Sequence, residues 1–361
     1  MKKIVLLVSS LVVSTVAYSD PNYTIKSLAK NLGTPWGMAF ITPNQMLISE
    51  REAHLKLLNI QSGEIIPISG LPSMRVEGQG GFFDVAIPPN YADSDWIYFS
   101  YNKDVNGQGA TTLARAKLSN TTLTDWQDLL VTQSRSGKEV HYGGRITFDN
   151  EGHVFLSVGE RGVRDNAQDL TTHAGSILRL NLDGSVPKDN PFINNTAALA
   201  EIWSYGHRNP QGLFFNQQTG QLWESEHGPR GGDEINLIEA GKNYGWATVS
   251  YGKEYWAPLA VGEATEKAGM EQPIQVYIPS IAPSNLIQYT GNAFSDWQGN
   301  FLLGSMAYEH INRIEIDAEN NVINEERLMN EPRLRIRNVI EDAAGLVYVS
   351  TDSGDIFQLT P

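Results

Sequence analysis

The chain predicts an all-β fold, a six-bladed β-propeller with four-stranded antiparallel blades, and three observations carry that prediction. The same two-strand phrase recurs six times along the sequence. The composition is rich in turn formers, with 33 Gly and 17 Pro in 361 residues. The chemically loaded residues gather at one end of each phrase, as they must if one rim of a ring is functional.

The first phrase is WGMAFITPNQMLISE (36–50), two apolar runs around Pro43-Asn44. The second, FFDVAIPPNYADSDWIYFS (82–100), has a longer turn with two prolines, and the third, GRITFDNEGHVFLSVGE (144–160), turns at Asn150-Glu151-Gly152. The fourth, QGLFFNQQTGQLWESE (211–226), turns through Gln217-Gln218-Thr219-Gly220. The fifth and sixth are SNLIQYTGNAFSDWQGNFLLGS (284–305) and RNVIEDAAGLVYVST (337–351). Each reads as a β-hairpin: an apolar run, a turn, then a β-branched and aromatic run. A lone hairpin cannot bury its faces, whereas a ring of blades can, so six units imply radial repetition. The length supplies one large domain, taken as residues 20–361.

Residues 1–19 read as a signal peptide instead of part of the fold. Lys2 and Lys3 precede an apolar stretch from Ile4 to Ala17, and Ala17-Tyr18-Ser19 is a plausible cleavage site. The stretch is shorter than the roughly 20 residues a membrane-spanning helix needs, so no stable membrane insertion is expected and the mature protein is expected to be periplasmic or secreted. Losing the two lysines takes the formal charge from −14 to −16. An acidic chain without clustered Lys or Arg is a poor partner for nucleic acid or anionic lipid. With no cysteine, disulfides, thiolate metal ligands and Cys nucleophiles are excluded together.

In a propeller, residues just before each first strand and just after each second strand converge on one rim. Before the first strands stand Gln79, His141, Arg208-Asn209, Arg335 and Arg337; after the second strands come Glu50, Glu160, Glu226-His227-Gly228-Pro229, Ala307 and Asp352. Taken alone, His141 reads as a hydrogen-bonded structural histidine. Followed by Gly143-Gly144, which keep the site open, and by Glu160, it reads as a general base oriented by a carboxylate. Arg208, Arg335 and Arg337 at one rim of an acidic protein suggest a bound anion, because arginine forks match carboxylates. Gly228-Pro229 is either a simple turn or a pair of carbonyls offered to a hard cation such as calcium. There is no phosphate-binding Gly-rich loop, no His pair with zinc spacing on a helix and no GxSxG elbow.

The stretches HYGGRITFDNEGHVFLSVGERG, YGHRNPQGL, SEHGPRGGDEINLIEAGKNYGWATVSYG, PSIAPSNLIQY and RIRNVIED resemble, in this order, the soluble quinoprotein sugar dehydrogenases of the glucose/sorbosone dehydrogenase family. The likeness is to the bacterial aldose sugar dehydrogenases that use pyrroloquinoline quinone (PQQ), and it covers roughly residues 24–360. It implies a six-bladed propeller that oxidises the anomeric carbon of an aldose to the lactone, with PQQ and calcium as cofactors. The implied partners are the sugar and an external electron acceptor, a quinone, cytochrome or dye.

By position, the resemblance makes His141 the catalytic base and Glu160, where relatives usually have Asp, the group that orients it. It places Gln79, Arg208 and Asn209 against cofactor and substrate, with Arg208 stabilising charge on the quinone oxygen. Arg335 and Arg337 would pair with PQQ carboxylates, and the Gly228 and Pro229 carbonyls would bind the catalytic calcium. A second, structural calcium would take the Ser250 and Gly252 carbonyls with the Glu254 and Glu271 side chains. Tyr255 or Trp256, in the variable loop after Trp246, would stack on a sugar. Ala307 stands where relatives commonly carry a quinone-contacting Lys. Two other readings remain for this fold: a calcium-dependent lactonase, and a sugar- or partner-binding propeller without catalysis.

Overall fold

Each hairpin phrase becomes the inner two strands of a blade, and the intervening sequence supplies the outer two. The structure, a computed structural model, describes residues 18–20 and 23–361; residues 1–17 of the expected signal peptide lie outside the described residues. Blade 1 runs Pro35–Thr42, Gln45–Glu50, His54–Asn59 and Ile65–Ile68, each strand antiparallel to the next. Blades 2 to 5 repeat this order, with inner strands Phe82–Ala86, Ile146–Phe148, Pro210–Phe215 and Pro283–Gln288. Blade 6 takes three strands from the C-terminus, Ile336–Glu341, Val347–Thr351 and Ile356–Thr360. Its fourth strand, Tyr23–Ala29, comes from the start of the fold, and the short strand Tyr18–Asp20 pairs outside it. The two ends of the ring are thereby hydrogen-bonded in one sheet, an outcome the hairpin count did not reveal. The inner strands contact one another around the ring, blade 6 touching blade 1.

The strands read as nearly continuous apolar runs because both faces of every blade are covered. Along His153–Val158, Val154, Leu156 and Val158 point into the interface with blade 2, while Phe155 points toward blade 4. Side chains alternate faces along a strand, so a residue and its neighbour serve different interfaces. Six apolar clusters fill the six gaps between blades.

Near the axis, serines stitch the blades together. Ser49 Oγ accepts from Gly37 N–H at 3.0 Å and donates to the Phe83 carbonyl of blade 2 at 2.6 Å. Ser157 accepts from Arg145 N–H at 2.9 Å and donates to the Pro210 carbonyl of blade 4 at 2.8 Å. Ser100 bridges Asp84 N–H to the Gly144 carbonyl in the same way, and Ser350 donates to Pro35. In blade 5, Gly304 takes the serine's place and Ser284 of the inner strand donates to Ile336 instead. A hydroxyl is both donor and acceptor, so one small side chain satisfies an amide where a strand bulges and a carbonyl across the gap. Ser157→Ala would leave both groups buried and unpaired, and should lower stability by about 1–3 kcal/mol. An unchanged urea midpoint would dismiss this role.

Beneath the rim, the channel is filled by polar groups. Arg145 pairs with Asp84 at 2.9 Å, lies 4.1 Å over the Trp36 ring and donates to the Gln211 carbonyl. Gln211 Oε1 in turn accepts from Arg337 at 3.2 Å, which ties the plug to the rim above it.

Candidate active site

His141 sits on the loop entering blade 3, with its backbone in the left-handed region at φ 54°. That conformation costs a non-glycine residue about 1–2 kcal/mol and is held by its surroundings. The His141 N–H donates to Gln79 Oε1 at 2.9 Å, and the His141 carbonyl accepts from Arg161 N–H. Arg161 is fully buried and donates to the carbonyls of Gly109, Ser134, Lys138 and Val140 while stacking on Tyr142. It rivets the loop that carries His141. Burial pushes its guanidinium down to about 10, still charged at neutral pH.

The His141 Nδ1 meets Glu160 Oε1 in a short hydrogen bond. A carboxylate there fixes the tautomer with the proton on Nδ1 and leaves Nε2 free to accept. Burial lowers the imidazole below the ordinary histidine value; Glu160 opposes this and the Arg208 charge adds to it. The ring is therefore neutral at pH 7, the state a general base requires. Glu160 is 1% exposed, and its Oε2 is a buried atom without a hydrogen-bond partner.

The close approach of these loops depends on glycine. A Cβ on Gly159 would stand 2.2 Å from the His141 carbonyl oxygen, and one on Gly143 would stand 2.8 Å from that of Ser157. Gly143 and Gly144 thus let the His141 loop pack on Ser157 and Phe83, a tighter reason for the pair than an open site.

Arg208 and Asn209 lie beside the His141 loop, on the loop into the neighbouring blade 4. Glu160 N–H donates to the Arg208 carbonyl at 2.9 Å, and Asn209 Oδ1 accepts from Gly143 N–H at 3.2 Å. Glu226 fixes their backbone by accepting from both N–H groups. Arg208 Nη1 donates to the His227 and Gly228 carbonyls at 2.9 and 2.8 Å. Asn209 Nδ2 is buried without a partner. The Gly228 loop is held from below by Asp233, which accepts from Gly228 N–H and from Ser280 and Ala282. His227 donates to the Pro283 carbonyl, and burial with the Arg208 charge drives it down to about 3, so it is neutral.

On the blade 6 side, Arg335 and Arg337 share Asp352, at 3.0 and 2.7 Å. Burial alone would raise Asp352, but Arg337 and Arg335 hold it below the ordinary carboxylate value, so two guanidinium groups share one negative charge. Arg335 also donates to the Met306 carbonyl at 3.0 Å, which brings its charge beside the exposed Ala307. Arg337 acts on His227 electrostatically, as do Arg208 and His141, which puts both arms of the rim in one field.

The residues named for a second calcium are engaged elsewhere. Glu254 takes the Arg164 fork on both oxygens at 2.7 and 2.8 Å, Glu271 accepts from Lys242 at 2.9 Å, and the Gly252 carbonyl accepts from Val261 N–H. A different acidic group lies buried behind the Gly228 loop. His207, Glu224 and Glu226 offer ligand atoms within 4.8 Å of one another, and Glu234 pairs with Glu226 across adjacent strands. Burial and the neighbouring Glu226 push Glu224 and Glu234 well above the ordinary range. His207 Nδ1 and Glu224 Oε1 have no hydrogen-bond partner. The phrase WESE carried the signal for this cluster, since it sets two carboxylates, Glu224 and Glu226, on a short buried strand.

Comparison with known proteins shows the family and the fold. The family model described as Glucose / Sorbosone dehydrogenase matches residues 32–358. The chain is 36% identical to the aldose sugar dehydrogenase YliI of Escherichia coli (strain K12) over 98% of each chain. It is 28% identical to quinoprotein glucose dehydrogenase B of Acinetobacter calcoaceticus, over 92% of this chain and 86% of that one. The crystal structure of the soluble aldose sugar dehydrogenase of Escherichia coli in its apo form superposes with a TM-score of 0.90 at 34% identity, covering 94% of this chain and 99% of the other.

Proposed function

Because this chain belongs to the glucose/sorbosone dehydrogenase family, and is thereby an oxidoreductase acting on sugars, we propose that it oxidises the anomeric carbon of aldoses to lactones with PQQ and calcium, passing electrons to an external acceptor. The observation that carries this reading is the neutral His141 imidazole, pinned by Glu160 with Nε2 free, in the field of the Arg208 guanidinium.

The residues present fit both groups. PQQ is a tricarboxylated quinone, and Arg208, Arg335 and Arg337 supply more positive charge than Asp352 neutralises. The unpartnered, buried Nδ2 of Asn209 is a ready donor to a carbonyl or carboxylate. Calcium takes oxygen ligands, backbone carbonyls included, and Asp233 fixes the loop whose Gly228 carbonyl accepts from Arg208. Arg208, Arg335, Arg337, Gln79 and Asn209 would hold the quinone and sugar, and Gly228 with Pro229 the calcium. For a further, structural cation, the buried Glu224 and Glu226 with His207, and the half-buried Glu234 beside them, furnish a better donor set than the ion-paired Glu254 and Glu271. When bound, PQQ supplies the hydride acceptor and calcium the Lewis acid.

The chain's own part is orientation and proton transfer. His141 Nε2 takes the proton from the anomeric hydroxyl. Glu160 stabilises the imidazolium that forms, because its carboxylate already holds Nδ1–H. Arg208 presents a fixed guanidinium to negative charge as it develops, without reorganisation. Gln79 steadies His141 through its backbone and, from an exposed position, meets the sugar. No helix among the described residues is long and apolar enough to cross a membrane, and the lysine-led apolar leader supports a periplasmic or secreted enzyme.

The test is to purify the mature protein without cofactor, add calcium, titrate PQQ and record dye reduction with a panel of aldoses. Saturable, sugar-dependent reduction is expected, and would show that Ala307 is tolerated. A folded protein that neither binds PQQ nor reduces dye would overturn the reading.

A further inference from the structure

The segment after Trp246 folds into a finger. Lys253 and Ala260 pair as an antiparallel bridge, and Glu254 N–H donates to the Leu259 carbonyl at 2.8 Å. The tip carries Tyr255 and Trp256, which are 67% and 77% exposed. Most large aromatic side chains in this chain are buried between blades, so two neighbouring exposed rings need a physical reason.

The finger is fastened on two sides to the loops that build the site. At its base, Lys253 exchanges both backbone hydrogen bonds with Arg230, the residue after Gly228-Pro229. On its flank, Arg164 forks Glu254. Arg164 lies four residues beyond Glu160, on the 3-10 turn Arg164–Gln168. Its guanidinium sits 5.8 Å from the Trp246 ring, and the Arg208 guanidinium sits 5.2 Å from the same ring. Arg164, and to a smaller degree the neighbouring Trp256 side chain, holds the Glu254 carboxylate below its ordinary value. The Arg164–Glu254 fork therefore fastens the finger two residues from an exposed aromatic ring, on the side that faces the Glu160 loop.

We propose that Arg164 and Glu254 are positioning residues that hold the Trp256 indole at the active rim as a platform for the part of the sugar beyond the reacting ring. This rests on the sugar-oxidising reading above. A second ring bonded to the aldose extends out of the channel mouth, and the apolar face of a pyranose packs on an aromatic ring. A monosaccharide lacks that second ring and would make no use of the platform. The latch then sets preference among substrates by size without touching the reacting atoms.

The test uses the full mature chain carrying Arg164→Met, Arg164→Lys or Trp256→Ala. Amide hydrogen exchange of residues 250–260 is measured without cofactor, and steady-state kinetics with glucose and maltose after loading with PQQ and calcium. Arg164→Met should speed exchange across the finger and raise the KM for maltose about two- to fivefold, the range an exposed ion pair supports. The kcat and the KM for glucose should hold. Arg164→Lys should recover part of both changes, and Trp256→Ala should raise the maltose KM without loosening the finger base. Unchanged exchange in Arg164→Met would overturn the latch. Faster exchange with unchanged KM for both sugars would overturn the platform while leaving the dehydrogenase reading intact. If the wild type oxidises no sugar, that reading fails instead, and calorimetric titration with maltose decides the platform. Binding lost in Trp256→Ala supports it; equal or absent binding overturns it.

Discussion

Replacing His141 with alanine is expected to lower turnover by about 10²–10⁴-fold, the usual contribution of a positioned general base, with the fold retained. The side chain bonds only to Glu160, while its backbone contacts to Gln79 and Arg161 are independent of the imidazole. PQQ binding should therefore survive, since the arginines and the Gly228 loop are untouched. The wild-type pH profile gives a second check. Burial and Arg208 lower the imidazole below the ordinary histidine value, and the base works only when neutral. The acid limb of kcat/KM should then fall below pH ~6.5, the value for an unperturbed histidine. Glu160→Gln removes the partner that favours the protonated ring, so it should weaken catalysis and move that limb lower still. An alanine variant with wild-type turnover, or an acid limb above the ordinary value, would remove His141 from the role of base.

Arg208→Ala should cost about 10²–10³-fold in kcat, the range for removing one preorganised donor from a site that stabilises negative charge. Its guanidinium also bridges the His227 and Gly228 carbonyls, so the variant should bind calcium and PQQ less tightly as the Gly228 loop loosens. Leaving buried carbonyls unpaired adds about 1–3 kcal/mol of destabilisation. Arg208→Lys separates the two effects: a lysine keeps the charge but lacks the fork that serves two carbonyls at once. It should recover part of kcat but little of the loop's rigidity, read as PQQ affinity and thermal midpoint. Wild-type kcat in Arg208→Ala would mean that charge stabilisation comes from elsewhere on the rim.

Much of this molecule is visible in the order of its residues. The short, nearly continuous apolar runs and their turn formers mark the inner hairpins, because a strand covered on both faces has little room for polar residues. The rim follows from topology: a hairpin returns to where it began, so His141 and Glu160, or Arg335 and Asp352, must meet. The family motifs pointed to the same residues from a different direction.

Other features depend on distances that no local pattern encodes. That Tyr23–Ala29 closes the ring beside Ile356–Thr360 is a contact across the whole chain. A serine stands in every phrase, yet a serine in a strand shows no partner until the next blade stands beside it, and Ser225 of blade 4 makes no such bond. Arg161 is a rivet only because four carbonyls from separate turns converge on its guanidinium. Glu254 offered the same carboxylate to calcium or to a cation, and the fold brings Arg164, 90 residues away in sequence, to take it. The sequence by itself determined the blades and which end of them is chemical, because alternation and turn chemistry are local. Only the tertiary structure decided which polar groups pair beneath that rim, because a hydrogen bond or ion pair is set by approach to within a few ångströms.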